Sequence, residues 1–279
     1  MSRQAKSVGI VSRVDLDRAI DLSTKIFHHL KSRGVSIACE PKVASILGAQ
    51  PVKVEDMDVD FVLAIGGDGT ILRTNMSIPK PTPILGVNLG FRAFLATVSP
   101  EKAIEAVDQA LAGGYTLEEH ILLACEVDGA PQPNALNEVL IGSRSRSKII
   151  QIEVLKNGIE VFRRFADGII VATPTGSTAY SLSAGGSVLD PEIEGFVLTP
   201  LCPIPFMPPI VVPTDSKIEV ELLGPGGGVL VVDGRQTKVL RPAETVTLTK
   251  AERKASFIRL ERRDFYGDFQ DRVLHSKRE

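Results

Sequence analysis

The chain has no tryptophan, and its three cysteines, Cys39, Cys125 and Cys202, lie far apart in 279 residues. Their odd number and wide spacing exclude a disulfide framework and a cysteine metal site, and point to a reducing cytoplasm. Each suits a role as a small buried apolar residue better than one as a nucleophile. The four histidines, His28, His29, His120 and His275, form no zinc-binding pair, so a surface or packing role is expected of each. No apolar run approaches the roughly 18 residues of a membrane span, and the polar opening MSRQAKS lacks a signal-peptide core. A large net charge is missing as well. The formal value of -2 argues against a general nucleic-acid binder, which carries a strongly basic face. Neither membrane nor nucleic acid is therefore expected as a partner, while a local basic pocket for a small phosphorylated ligand stays open. The G-x-x-x-x-G-K-[ST] phosphate loop is absent, the glycines at 66–71 do not follow G-x-G-x-x-G, and no G-x-S-x-G marks a hydrolase.

What is present is an ordinary globular composition, 43% apolar and 24% charged, in a chain comfortable for two domains. The first hundred residues alternate apolar strands with helical patterns. Val8–Val11, Val35–Ala38, Phe61–Ile65 and Pro83–Val87 read as buried strands. Between the first two, Leu16, Ala19, Ile20, Ile26, Phe27 and Leu30 trace one face of a helix that Gly34 ends. Fully apolar strands alternating with helices imply a parallel sheet covered on both faces. Ser99-Pro100 opens a further helix, with serine as N-cap, and Gly113-Gly114 stops it. Beyond it the period becomes two: Ile150, Ile152 and Val154 alternate with polar residues, as do Ile218, Val220 and Leu222, and Val246 and Leu248. Asn157-Gly158 and Asp233-Gly234 read as turns between such strands. The expectation is α/β plus β: an N-terminal Rossmann-like α/β domain with a parallel sheet (1–98) and a C-terminal antiparallel β-sandwich (99–261). The charged tail 262–279 either returns to the first domain or is solvated.

Three stretches carry chemistry. Ala64-Ile65-Gly66-Gly67-Asp68-Gly69-Thr70 places one carboxylate among glycines at the carboxyl end of a parallel strand, where open α/β sheets bind ligands. Glycines permit positive φ and close approach, and free N–H groups at a helix start attract anions. A carboxylate there makes sense if it accepts a proton from an attacking hydroxyl or bridges to phosphate through Mg²⁺. A plain glycine turn with an aspartate cap explains the same residues. Asp167 through Gly186, DGIIVATPTGSTAYSLSAGG, follows an apolar strand with a run of hydroxylated residues that suits a sugar or phosphate pocket, or merely caps a short helix. Asn137-Glu138 alone is a routine dipeptide at the start of a strand.

Together, in this order and spacing, the three stretches resemble the NAD kinases. Gly66–Thr70 looks like that family's GGDGT, which diacylglycerol, sphingosine and 6-phosphofructokinases share; Asn137-Glu138 looks like its NE motif. Asp167–Gly186 is similar to its long threonine- and serine-rich signature. The resemblance implies transfer of a phosphoryl group from ATP, or inorganic polyphosphate, to the adenosine ribose 2′-hydroxyl of NAD, with Mg²⁺ or another divalent cation. By the same resemblance Asp68 would be the base and Gly69 would pack against the dinucleotide. Arg73 and Lys148 would meet phosphate, Asn137 and Glu138 the adenosine ribose, and Asp167 the nicotinamide end. Thr175, Thr178, Ala179, Tyr180, Ser181, Leu182 and Ser183 would line the pocket, joined by Gln236. The family's site lies between its two domains, often across subunits, which implies a cytoplasmic homodimer or homotetramer. Departures from the family pattern fall at the pocket rim. N-x-G-x-L-G-F-L reads Asn88-Leu89-Gly90-Phe91-Arg92-Ala93-Phe94-Leu95, and I-C-P-H-[ST]-L reads Leu201-Cys202-Pro203-Ile204-Pro205-Phe206. Phe165 replaces a basic residue, and D-G-Q becomes Asp233-Gly234-Arg235-Gln236. Two other readings share parts of this pattern: a lipid or sugar kinase with only the GGDGT core in common, and a non-catalytic NAD(P)-binding sensor.

Overall fold

The computed structural model describes residues 4–78, 80–90, 93–145, 148–262 and 264–271. Phe91, Arg92, His275 and the tail after 271 lie outside them. The chain forms two compact units: residues up to Glu119 together with those from Ala255 onward, and His120–Lys254. The sequence alone suggests a boundary near 98, with the tail 262–279 either returning to the first domain or solvated.

In the first unit, β1 (Ser7–Ser12), α1 (Asp17–Ser32), β2 (Ser36–Cys39), α2 (Pro41–Leu47), β3 (Phe61–Gly66), α3 (Asp68–Ser77) and β4 (Ile84–Asn88) alternate as the apolar pattern requires. The strands pair in parallel in the order β2-β1-β3-β4, with Val8 opposite Phe61 and Val62 opposite Ile84. All of β3 is buried, which explains its unbroken apolar run. α1 turns Ala19, Leu22, Ile26 and Leu30 onto Leu63, Ile65 and Leu85 in one core. Burying a side chain such as Ile26 contributes roughly 1.5–3 kcal/mol. The chain leaves β1 to one side for β2 and returns to the other side for β3. That reversal puts a crevice beyond the carboxyl ends of β1 and β3, the usual ligand position in such sheets.

After Ser99, residues Pro100–Lys102 form a 3₁₀ turn that leads into α4 (Ala103–Leu111). The expected serine cap is not formed through its side chain: no cap hydrogen bond is made. β5 (Thr116–Val127) carries the chain into the second unit.

The second unit is antiparallel. β6 (Ala130–Ala135), β7 (Glu138–Gly142), β8 (Ile150–Lys156), β9 (Ile159–Ala166) and β10 (Gly168–Ala172) precede the short helix α5 (Tyr180–Ser183). β11 (Gly195–Leu201), β12 (Ile210–Pro213), β13 (Ile218–Leu223), β14 (Gly228–Val232), β15 (Arg235–Leu240) and β16 (Thr245–Arg259) follow; from Ala255 the end of β16 belongs to the first unit, as does α6 (Phe265–Phe269). One sheet has the order β12-β11-β10-β7-β14-β15. In the other ladder β13 lies between β8 and β16, and alternate residues such as Ile152, Val154, Val220 and Val246 are buried. This is the period of two seen in the sequence. Among the described residues no helix is long and apolar enough to cross a membrane.

Candidate active site

Beyond the carboxyl ends of β1, β2 and β3 lies a cleft of about 600 Å³, with Arg13 and Lys42 on its wall and Gly67, Gly69 and Arg73 beside them. None of Gly66, Gly67 and Gly69 adopts the positive φ that glycine permits. Their role is closeness: a Cβ on Gly66 would lie 2.2 Å from the Thr70 hydroxyl, while space over Gly67 and Gly69 is open. Open backbone at the start of α3 is the surface on which an anion can sit.

Asp68 is the first residue of α3, and both of its carboxylate oxygens are occupied. Oδ2 accepts the Phe94 amide at 2.7 Å, and Oδ1 accepts those of Leu95 and Ala96 at 2.9 and 3.2 Å. The aspartate thus grips the end of the 88–95 segment. Arg73, one turn later, is also engaged. Its Nη1 donates to Glu40 Oε2 at 2.6 Å and its Nη2 to Oε1 at 3.1 Å, a forked pair on a carboxylate whose side chain is 6% exposed. Glu40 Oε1 accepts the Ser12 amide as well. Glu40 therefore sets the position of Arg73 on the cleft wall, where the arginine keeps further N–H donors.

The second unit assembles most of the other predicted residues around one turn. Thr175–Thr178 form a 3₁₀ turn between β10 and α5, and Gly176 packs so tightly on residue 137 that a Cβ would sit 2.0 Å from the Asn137 carbonyl oxygen. The Thr173 amide donates to that carbonyl at 2.9 Å. Ser177 and Ser181 are fully buried and spent on structure: Ser177 Oγ bonds Pro174 O and the Leu189 amide, and Ser181 Oγ pairs with Thr199 Oγ1. Thr175, Thr178, Ala179 and Leu182 are half-buried, and Tyr180 and Ser183 are exposed. Thr175 Oγ1 lies 2.7 Å from Nδ1 of His120, a histidine that the sequence left to packing.

Glu138 is the sharpest feature of this unit. It is 7% exposed, and its Oε2 has no partner although it is buried. Burial first, and the nearby Asp233 carboxylate second, push its pKa up to about 7; the Tyr180 amide acts in the opposite direction. A buried unpartnered oxygen beside a hydroxyl-rich turn is a position that a ligand hydroxyl can satisfy. The stability consequence has a definite sign. A carboxyl group raised in the folded state contributes stability that is full below its unfolded pKa and is lost as pH rises through about 7. At about 1.4 kcal/mol per pH unit the rise from 4.5 corresponds to on the order of 3 kcal/mol. Glu138→Gln is therefore expected to melt above the wild type at pH 8 and to match it at pH 4. Thermal melts at both values check this.

Asp167 stands apart from this turn. In the β7–β10 ladder Glu138 is opposite Ala172 and Gly168 opposite Gly142, so Asp167 and Glu138 lie at opposite ends. Five residues of strand separate them by roughly 17 Å. No single sugar reaches both; a ligand touching both has to be long. Lys148 is exposed before β8, and Gln236 is exposed on β15 opposite Val231.

Residues 8–115 match the ATP-NAD kinase N-terminal domain and residues 136–260 the ATP-NAD kinase C-terminal domain. The chain belongs to the NAD kinase family. It is 40% identical over 273 residues to a NAD kinase of Methanothermobacter thermautotrophicus, covering 96% of each chain. It is 37% identical to one of Pyrococcus abyssi, over 95% of this chain and 98% of that one. The crystal structure of an NAD kinase from Archaeoglobus fulgidus in complex with ATP is 32% identical, over 95% of this chain and 98% of that one, with a TM-score of 0.77. Yeast NADH kinase complexed with NADH shares the fold, with a TM-score of 0.88 over 99% of this chain and 89% of that one, at 21% identity.

Use of a divalent cation is in keeping with the NAD kinase family. Among the described residues no three His, Cys, Asp or Glu side chains gather into a metal cluster. Mg²⁺ commonly rests on one or two carboxylates plus phosphate oxygens and water. The carboxylates that line the cleft are Asp15 and Glu40, and both are ion-paired, to Arg13 and Arg73, so a cation carried here on nucleotide phosphates would rest mainly on phosphate oxygens and water.

Sequence reasoning missed Glu40 altogether, and it quoted Thr173 and Asp233 only within a signature and a turn, without their roles as clasps. Glu40 precedes α2, whose Pro41 start and left-handed Gly48 end are ordinary helix punctuation that could have revealed the element. Asp233 holds the amides of 136–138 from nearly a hundred residues away, which no local pattern encodes.

Proposed function

We propose that this chain transfers the γ-phosphoryl group of ATP to the adenosine ribose 2′-hydroxyl of NAD, giving NADP and ADP. The observation that carries this reading is the buried, unpartnered Glu138 Oε2 beside the hydroxyl-rich 173–183 turn, in a chain of the NAD kinase family. Glu138 and Asn137 hold the adenosine ribose hydroxyls, and the half-buried Thr175, Thr178 and Ala179 with Tyr180 line the dinucleotide's path. Asp167, at the far end of the β7–β10 ladder, takes the nicotinamide end. Arg73, braced by Glu40, and Lys148 offset phosphate charge, while the open backbone at Gly67 and Gly69 lets the phosphates approach.

Asp68 accepts the proton of the attacking hydroxyl through a carboxylate oxygen, exchanging one of its amide partners for the substrate. The ribose oxygen then bonds to the γ-phosphorus, and the bond to the ADP oxygen breaks in line. Mg²⁺, when bound, neutralises charge on the β- and γ-phosphates. ATP as donor is supported by the Archaeoglobus fulgidus relative, whose crystals contain it. Incubating the purified chain and Mg²⁺ with NAD and either ATP or polyphosphate tests the donor. NADP is expected at a higher rate with ATP, and formation with polyphosphate alone would contradict the assignment.

A further inference from the structure

We propose that Asp233 is a positioning residue for the phosphoryl acceptor, holding the backbone of residues 136–138 so that Asn137 and Glu138 are presented to the ribose. This rests on the reading of Asn137-Glu138 as the acceptor-binding pair. Asp233 occupies the two-residue turn between β14 and β15 in a left-handed conformation, φ 46°. That conformation is uncommon outside glycine but tolerated by aspartate. Its Oδ2 accepts the Leu136 amide at 2.8 Å, and its Oδ1 accepts those of Asn137 and Glu138 at 2.8 and 3.1 Å. Its own amide donates to Glu138 O at 3.0 Å.

Just after β10, Thr173 holds two of the same residues: its hydroxyl donates to Leu136 O and its amide to Asn137 O. Every N–H and C=O of residues 136–138 thus has a partner on Asp233 or Thr173. A bound dinucleotide would meet a backbone with no polar group left free to rearrange.

Stability alone does not account for an acid here. Asp233 is 7% exposed, and burial pushes its pKa up to about 6 against the pull of its three amides. Placing a second buried carboxyl beside Glu138 is costly. The charged groups involved are few: Asp233 faces Glu138 from the β14–β15 turn, and α5 contributes the uncharged Tyr180 amide. Besides fixing the backbone, Asp233 adds to the upward push that burial chiefly gives the Glu138 carboxyl.

Asp233→Asn in the full chain separates this role from a merely structural one. Asn Oδ1 still accepts two of the three amides, but its nitrogen opposes the Leu136 N–H. The KM for NAD is expected to rise roughly 10-fold or more, as when a supporting partner of a site residue is removed. The KM for ATP should move less than about 3-fold. With the neighbouring charge gone, the Glu138 limb of the pH profile of kcat/KM for NAD should shift to lower pH. A folded variant with wild-type KM for NAD and an unmoved limb overturns the proposal. Should that variant melt below the assay temperature, Asp233→Glu replaces it: its limb stays near neutrality while the longer arm displaces residues 136–138 and raises the KM for NAD. An unchanged KM there is equally fatal. NAD binding by calorimetry is read in parallel, so a wild type that binds NAD without turning over rejects the activity and leaves the role of Asp233 to be judged on affinity.

Discussion

Asp68→Asn is expected to lower kcat by roughly 10²–10⁴-fold, the range for a positioned general base. The KM for NAD should stay within a few-fold. The substitution removes the group proposed to take the ribose proton, but the structure adds a second consequence. Each Asp68 oxygen accepts backbone amides from the 94–96 segment. In the asparagine variant one side-chain atom becomes a donor facing a donor, and losing such a hydrogen bond costs about 1–3 kcal/mol. A melting temperature lower by a few degrees should therefore accompany the loss of turnover. Steady-state kinetics and a thermal melt on one preparation separate the two effects. Near-normal kcat in a folded variant would remove Asp68 from the role of base.

The second large effect is expected at Gly176→Ala. The new methyl carbon would stand 2.0 Å from the Asn137 carbonyl oxygen and 2.6 Å from its Cα, all of it backbone with no flexible end to yield. Overpacking of this kind costs about 3 kcal/mol, the upper part of the usual range. That corresponds to a fall in melting temperature of roughly 6–12 °C. Because the displaced residue is Asn137, the KM for NAD should rise at least roughly 10-fold in whatever protein remains folded. A variant with the wild-type melting temperature and KM would show that the 173–178 turn and residue 137 are not coupled as described.

Much of the architecture is legible in the chain because single elements carry their own periods. β3 is apolar throughout since both faces are covered, and β8, β13 and β16 alternate since one face is buried. α1 shows its buried stripe over sixteen residues. α2, at seven residues, is too short to show a stripe, and only its proline and glycine mark it. Of the two uses expected of the glycines around Asp68, positive φ is not taken up, while close packing at Gly66 and open space over Gly67 and Gly69 are.

The clasps are the part that stays hidden. Glu40 with Arg73, Asp68 with 94–96, and Asp233 with 136–138 each join an acid to groups distant in sequence. An isolated acidic residue has no period and no spacing until the sheets bring its partner to it. The same holds for Glu138, whose lack of a partner appears only once its surroundings are folded.

The most direct test of the central claim is the product itself. The purified chain is incubated with NAD, ATP and Mg²⁺, and the dinucleotide product is assayed with an NADP-specific dehydrogenase and by phosphorus NMR. The account predicts NADP, phosphorylated at the adenosine ribose 2′-oxygen, in one-to-one ratio with ADP. ATP consumed without NADP, or phosphate found on any other hydroxyl, would contradict it.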